Sequence, residues 1–429
     1  MTDFLVVENI LQNISSPGIK PGLERIERLF ALLGNCERQI RAVHVVGTNG
    51  KGSTAATLEA VLRASGYKTA LYTSPHLASF GERLTINGKM LSADKWLCAI
   101  ETMQNVLKSS NTHAEDMPTY FELTTAAAFC MIAESNVDIA VVEAGLGGRL
   151  DATNTLSDIL VTLITPIGMD HTDYLGETLE KIAAEKFAVI RKNVPAIFAG
   201  GDTSLELQFK RCCENADANG MLLSETGGVK FIKTDINGTQ FIYNGHEYQT
   251  ALAGAYQADN TALALAAVNI LKENYDKITD ETVELALSKI SWQGRMEVVR
   301  KNPMLILDGA HNSHAMKRLA ENITLFFGRQ TLNVVIAMMK DKDIEKSLSL
   351  LKGFNLDFFC TEVPEMQRSL KADEMAETAT SLGFTVRGSF ASPYGAVKEA
   401  SKQGCPVLCF GSLYMLAWLK ENYPEEFLK

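Results

Sequence analysis

The sequence predicts a two-domain α/β protein whose N-terminal domain is built on a mainly parallel sheet with a small antiparallel element. Three observations carry this. Short runs rich in Val and Ile alternate with helical stretches over most of the chain. The rhythm breaks between Gly228 and Thr250, where two Asn-Gly turns separate alternating residues. It restarts near Trp292–Val298 and continues towards the C-terminus. Strands alternating with helices imply βαβ crossovers and a parallel sheet covered on both faces.

The first domain's strand candidates are AVHVV from Ala42, KTALYT from Lys68, VDIAVVEA from Val137, DILVTLIT from Asp158 and VPAIFAG from Val194. Between them, helical patterns cover Ser53–Ser65, Thr119–Ser135 and Thr178–Lys192. In VKFIKTDINGTQFIYNGHEYQT, Asn237-Gly238 and Asn244-Gly245 supply the positive-φ residues of tight hairpins, so an antiparallel set is expected. A helix follows over Gln257–Asn274. PMLILDGAHN, LNVVIAMM, NLDFFC, FTVRGS and PVLCFG are five further strand candidates. With helices between them, they make a second, Rossmann-like domain. The boundary falls between Ser291 and Lys301, dividing the chain into 1–296 and 297–429.

Bulk composition narrows the function. A net charge of −10 argues against a nucleic-acid-binding surface, though not against an acidic small substrate, which a few placed cations suffice to hold. The eight cysteines form no CxxC pair and read as buried thiols in a reducing compartment. Cys405 and Cys409 flank an apolar run and read as strand residues. No signal pattern opens the chain and no 18-residue apolar run interrupts it, so a cytoplasmic protein without a membrane span is expected.

The most informative stretch is VHVVGTNGKGSTAATLEAVL from Val43. A strand ends in Gly47, Thr48, Asn49, Gly50, Lys51, Gly52 and Ser53, and a helix begins. The glycines let the backbone present its N–H groups, and the helix start adds a positive dipole end. Lys51 supplies a point charge for phosphates and Ser53 a hydroxyl for Mg²⁺. The domain is therefore P-loop NTPase-like. Gly52 separates Lys51 from Ser53, unlike the usual GxxxxGK[ST]. Motors, switches, kinases and ligases all use such loops.

Other strand ends add candidates, since ligands sit at the carboxyl edge of a parallel sheet. Ser74, in YTSPHL, either reaches a metal or phosphate or merely makes a Ser-Pro turn. Glu143 ends a strand where a carboxylate can hold Mg²⁺. The glycines of GLGGRLDATN form a loop able to close over a ligand, with Arg149 and Asp151 as its polar tips. His171, in DHTDYLG, can contact a metal from the same edge. Lys186 reads from its helix alone as an ordinary salt-bridged lysine; in an apolar setting it could instead lose its proton and take up CO₂ as a carbamate. Arg295 offers a fork for phosphate and Asp308 an acceptor for a ribose hydroxyl. His311 and Asn312 either face the site or cap the next helix. Lys340, Asp341 and Lys342 follow a strand end and either face the cleft or, as the preferred reading, make a solvated turn.

In order along nearly the whole chain, GLERI, GTNGKGS, TSPHL, TYFE, GLGGRLDATN, DHTDYLG, the Glu185-Lys186 pair, the Gly294-Arg295 pair, LDGAHN and GSLY resemble the bacterial folylpolyglutamate synthase/dihydrofolate synthase family of the Mur ligase superfamily. That family's phosphate loop also carries Gly between Lys and Ser. The resemblance implies an ATP- and Mg²⁺-dependent amide ligase acting on dihydropteroate or folates and L-glutamate through an acyl phosphate. It implies Ser53, Ser74, Glu143, His171 and a carbamylated Lys186 at the metals. Asn260, Arg295, Asp308 and His311 are implied around ATP. Thr119, Tyr120, Phe121 and Glu122 of TYFE, with Leu150, Asp151 and Ala152, are implied at the pterin, Phe121 by stacking. A monomer is expected. A cell-wall amide ligase of the same superfamily and a non-ligase nucleotide switch remain the alternatives. After the lysine this chain reads FAVI, with the bulky Phe187, where the family more often has AGI.

Overall fold

The computed structural model describes residues 3–427. In chain order the strands are β1 (Arg41–Val46), β2 (Thr69–Tyr72), β3 (Leu84–Ile86), β4 (Lys89–Met90), β5 (Ile139–Glu143), β6 (Asp158–Ile164), β7 (Ala196–Phe198) and β8 (Gly220–Leu222). They form one sheet in the order β4-β3-β2-β5-β1-β6-β7-β8. β2, β5, β1, β6, β7 and β8 run parallel, and the β3–β4 hairpin pairs antiparallel at one edge. β1, β5 and β6 are almost wholly buried, hence their continuous apolar runs. β9 (Val229–Asp235), β10 (Gly238–Tyr243) and β11 (His246–Thr250) make the expected antiparallel set. β12 (Glu297–Lys301), β13 (Met304–Leu307), β14 (Leu332–Ile336), β15 (Leu356–Thr361), β16 (Thr385–Phe390) and β17 (Val407–Phe410) form a sheet ordered β12-β13-β17-β14-β15-β16, parallel except for edge strand β12.

Helices cover both faces of the first sheet. On one face Lys51–Ala64 and Tyr256–Leu271 pack together, and their many small residues let the two helices lie close while buried on nearly every side. On the other, Phe4–Ile14, Ala93–Ser109 and Tyr120–Glu134 enclose an aromatic core around Phe30, Phe80, Trp96 and Phe129. Among the described residues no helix is long and apolar enough to cross a membrane.

Two departures have local causes. The helix expected over Thr178–Lys192 stops at Phe187. Val189 and Ile190 turn into the core instead, and Asn193 takes φ +61°, outside the helical region. The β3–β4 hairpin falls outside the expected strands, although Asn87-Gly88 is the same turn signal used further on.

On the helix Leu413–Asn422, the Lys420 ammonium is 1% exposed and donates to Gln293 Oε1 at 2.7 Å and to Glu297 Oε1 and Oε2 at 2.7 and 2.8 Å. Glu297 Oε2 also accepts from the Gly294 N–H at 2.7 Å, which fixes the turn carrying Arg295. Removing one partner of such a pair strands the other. Lys420→Met is expected to cost about 2–3 kcal/mol, below the usual range for buried pairs because Glu297 keeps some solvent contact. A fall in the urea midpoint checks it, and an unchanged midpoint would refute it.

Candidate active site

The chain crosses from one side of β1 to the other at the carboxyl edge of the first sheet, where such topologies leave a crevice. There a cleft of about 1240 Å³ opens between the two large sheets. Every site residue expected from the sequence lines it.

The phosphate loop leaves β1 and enters the helix Lys51–Ala64. Gly50 has φ +93°, and a Cβ there would lie 2.3 Å from Asn260 Oδ1. Only glycine allows both the turn and the approach of Asn260. Thr48 is tied down by Gly168 N donating to its Oγ1 at 3.0 Å. Lys51 donates to Thr48 O at 3.1 Å and makes no ion pair among the described residues, so its charge remains available to an anion. Ser53, 2% exposed, points its Oγ at Gln257 Nε2, 3.4 Å away. Gln257 in turn accepts from Asn260 Nδ2 at 3.0 Å.

Beside this loop lie two buried ionisable groups. β5 pairs with β1 so that Glu143 lies opposite Val45, two residues before Gly47. Its carboxylate is 5% exposed and accepts from Ser74 N at 3.3 Å. Burial pushes its pKa up to about 7, against the lowering pull of Lys51 and Arg295. Lys186 is 3% exposed and donates to Gly47 O at 2.7 Å. It is not the salt-bridged lysine its helix suggested. Burial, with the nearby Lys51 charge, lowers its pKa to about 7. Phe187 faces away, edge-on to Phe198 and Phe209 at 5.2 and 5.5 Å, so its bulk is absorbed in a core and not in the cleft.

These groups suit a hard divalent cation. Glu143, Ser53 and Ser74 offer oxygens, and the buried Glu143 has no ion-pair partner among the described residues to offset its charge. No cage of three or more His, Cys, Asp or Glu side chains exists among the described residues. The arrangement is thus open, as Mg²⁺ prefers when phosphates and waters complete its shell. His171 sits with φ +49° at the start of the short helix Thr172–Leu175.

The opposite wall is the glycine-rich loop with the start of the helix Tyr120–Glu134. A Cβ on Gly145 would lie 2.4 Å from Phe121 Cζ, so the ring rests directly on the loop. Asp151, 4% exposed, closes the loop: Oδ2 accepts from Leu146 N at 2.7 Å and Oδ1 from Thr153 N at 3.0 Å. Leu150 and Ala152 flank it on the cleft wall. Arg149 pairs with Glu185 at 2.9 Å, which assigns the acid of the Glu185-Lys186 pair to holding the loop. Thr119 and Glu122 cap their helix reciprocally, and Glu122 is also paired with Arg25 at 3.0 Å. Tyr120 lies under the Arg83 guanidinium, 5.7 Å from the ring centroid.

The C-terminal domain supplies the rest. Asp308 accepts from Met296 N and Ala310 N, both at 2.9 Å, and lies beside Arg295. His311 Nδ1 is 2.7 Å from Gly309 O, a pure acceptor, so Nδ1 carries the proton. Asn312 does cap the helix Ser313–Phe327, and its Nδ2 also donates across the cleft to Asp170 Oδ2 at 3.1 Å. Lys342 corrects the solvated-turn expectation: its neighbours Lys340 and Asp341 are exposed, but it reaches Asp170 at 3.4 Å across the cleft. Arg83, 8% exposed and donating to His76 Nδ1 at 2.9 Å, sits in a mixed stretch, SFGERLTIN, that carries no sequence signal for this place.

Known proteins place this geometry in context. The Mur ligase middle domain matches residues 45–268, and the Mur ligase glutamate ligase domain matches residues 294–413. The dihydrofolate synthase/folylpolyglutamate synthase of Bacillus subtilis is 36% identical over 342 residues, covering 78% of this chain and 79% of that one. The chain belongs to this Mur ligase family. Escherichia coli FolC in complex with DHPP and ADP superposes on this family member with a TM-score of 0.87 at 28% identity, covering 99% of this chain and 98% of that one. The bifunctional folylpolyglutamate synthase/dihydrofolate synthase from Yersinia pestis complexed with AMPPNP and Mn ion gives 0.84 at 29% identity, covering 98% of each chain. As a Mur ligase family member of this kind, the chain is an ATP-dependent ligase.

Proposed function

We propose that this chain joins L-glutamate to dihydropteroate and extends the glutamate tail of reduced folates, as a monomeric cytoplasmic enzyme working through the division 1–296 and 297–429. One observation carries the reading: the phosphate loop, the buried Glu143 and Lys186, and the Phe121-covered glycine-rich loop all open onto one cleft. An acidic substrate and a triphosphate repel each other, so the site must gather cations between them. Lys51, Arg295 and the start of the helix Lys51–Ala64 face the phosphates. Phe121 offers a flat face to the pterin ring, with polar edges from the loop. Ser53, Ser74 and Glu143 would hold Mg²⁺, with His171 and a carbamylated Lys186 as further ligands. The ion, when bound, spreads the phosphates' charge.

The chemistry follows from what these groups bring together. The substrate carboxylate attacks the γ-phosphorus of ATP, the bond to ADP breaks, and an acyl phosphate forms. The neutral amine of glutamate then adds to the acyl carbon, phosphate leaves, and the amine proton is released. Lys342, Arg368 and Ser412 line the C-terminal wall. They offer cations and a hydroxyl to the incoming amino acid's carboxylates.

The test is phosphate release by the purified protein. With ATP and L-glutamate present, release is expected only once dihydropteroate or tetrahydrofolate is added. Hydrolysis indifferent to every pterin would leave a nucleotide switch as the better reading. Asp151→Ala, which unfastens the glycine-rich loop, is expected to raise KM for dihydropteroate about tenfold and to affect tetrahydrofolate less. Equal losses on both substrates would show that the loop does not separate the two activities.

A further inference from the structure

Asp151 has a third hydrogen bond, and it leads back into the sheet. Thr153 Oγ1 donates to Asp151 Oδ1 at 2.5 Å. The same hydroxyl lies 2.9 Å from Nε2 of His44, a residue of β1 that is 0% exposed. Proton bookkeeping settles the direction of each bond. Asp151 already accepts from two backbone N–H groups, so its ionised form fits the loop. The single hydroxyl proton of Thr153 therefore goes to Asp151. Its lone pair is left to accept, and His44 must carry a proton on Nε2. Nδ1 of His44 is buried with no partner, so with the proton on Nε2 it strands an acceptor and not an N–H donor. Burial, reinforced by the charge of Arg191, lowers the ring's pKa to about 3, so it is neutral.

We infer that His44 is a positioning residue that, through Thr153, aims the Asp151 carboxylate and sets the glycine-rich loop against the substrate's ring. The relay begins on β1 three residues before Gly47 and ends on the loop across the cleft. It thereby ties the wall that grips one substrate to the strand whose end grips the other. A histidine in the middle of a buried strand needs such a reason, because Val or Ile there would leave no buried nitrogen without a partner. The inference rests on the reading that the glycine-rich loop holds a pterin.

The test compares variants on two substrates. His44→Leu and Thr153→Val are expected to raise KM for dihydropteroate about tenfold and to leave KM for ATP within about twofold. His44→Gln and Thr153→Ser, which keep a donor and a hydroxyl in place, should recover most of that loss. In the wild-type protein, ¹⁵N spectra of labelled histidine should show His44 as the Nε2–H tautomer. A parallel rise in both KM values, a glutamine variant as impaired as the leucine one, or an Nδ1–H ring would each overturn the relay. The tautomer needs no substrate. It decides the relay even in a protein that binds AMPPNP but no pterin, an outcome that would overturn the ligase reading instead.

Discussion

Lys51→Ala is expected to lower kcat about 10³-fold or more, in the range seen when a cation facing a transferring phosphoryl group is lost. At room temperature that corresponds to about 4 kcal/mol of transition-state stabilisation. The fold should barely register the change. Lys51 is partly exposed, and its ammonium makes one hydrogen bond, to Thr48 O, and no ion pair among the described residues. Its removal breaks no ion pair among the described residues, and the attraction it withdraws from Glu143 and Asp151 is countered by the repulsion it lifts from Lys186, so the change in stability is expected to be about 1 kcal/mol or less. Lys51 also lies near the buried carboxylates Glu143 and Asp151 and favours their ionised forms. The alanine variant should therefore also weaken binding of AMPPNP with a divalent ion. Turnover near the wild-type rate, together with an unchanged thermal midpoint, would remove Lys51 from the phosphate site.

The main architecture was legible because a buried parallel strand and a Gly-rich turn each leave a dense local signal. AVHVV followed by GTNGKGS can hardly be read other than as a strand, an anion-binding loop and a helix. The weaker elements lacked such density. β8 is three residues long, and β12 is a short antiparallel edge strand that the parallel rhythm does not announce. The residues that line the cleft were legible by type and position at strand ends. Their environments were not. Lys186 looks like any amphipathic-helix lysine until the fold buries it against Gly47 O with no salt bridge among the described residues. Glu185 beside it carries no local sign that it holds Arg149, thirty-six residues away. Arg83, Lys342 and His44 owe their places to contacts between segments distant in sequence, which local patterns do not encode.

Lys186→Ala is expected to lower kcat about 10²–10³-fold, comparable to losing a preorganised electrostatic group. The reasoning starts from its surroundings. An ammonium that is 3% exposed, bonded to one carbonyl and repelled by Lys51, is costly to keep charged. With its pKa lowered to about 7, about half of the lysines are neutral at pH 7. The free amine can add to CO₂, forming an N–C bond and releasing a proton, and the product is an anion beside Lys51 where a cation was repelled. Incubation of the wild-type protein with ¹³C-bicarbonate should therefore give a carbamate carbonyl signal that Lys186→Ala lacks. The same shift has a thermodynamic consequence with a fixed sign. The unfolded chain keeps this proton up to its ordinary value of 10.5, while the folded chain releases it at about 7. Between those values the unfolded state binds more protons, so the lysine's contribution to stability rises with pH. Below about 7 both states are charged and that contribution is flat. In bicarbonate-free buffer, the stability difference between wild type and Lys186→Ala should thus shift in favour of the wild type from pH 7 upward. A difference independent of pH, together with no carbamate signal, would return Lys186 to the role of an ordinary charged lysine.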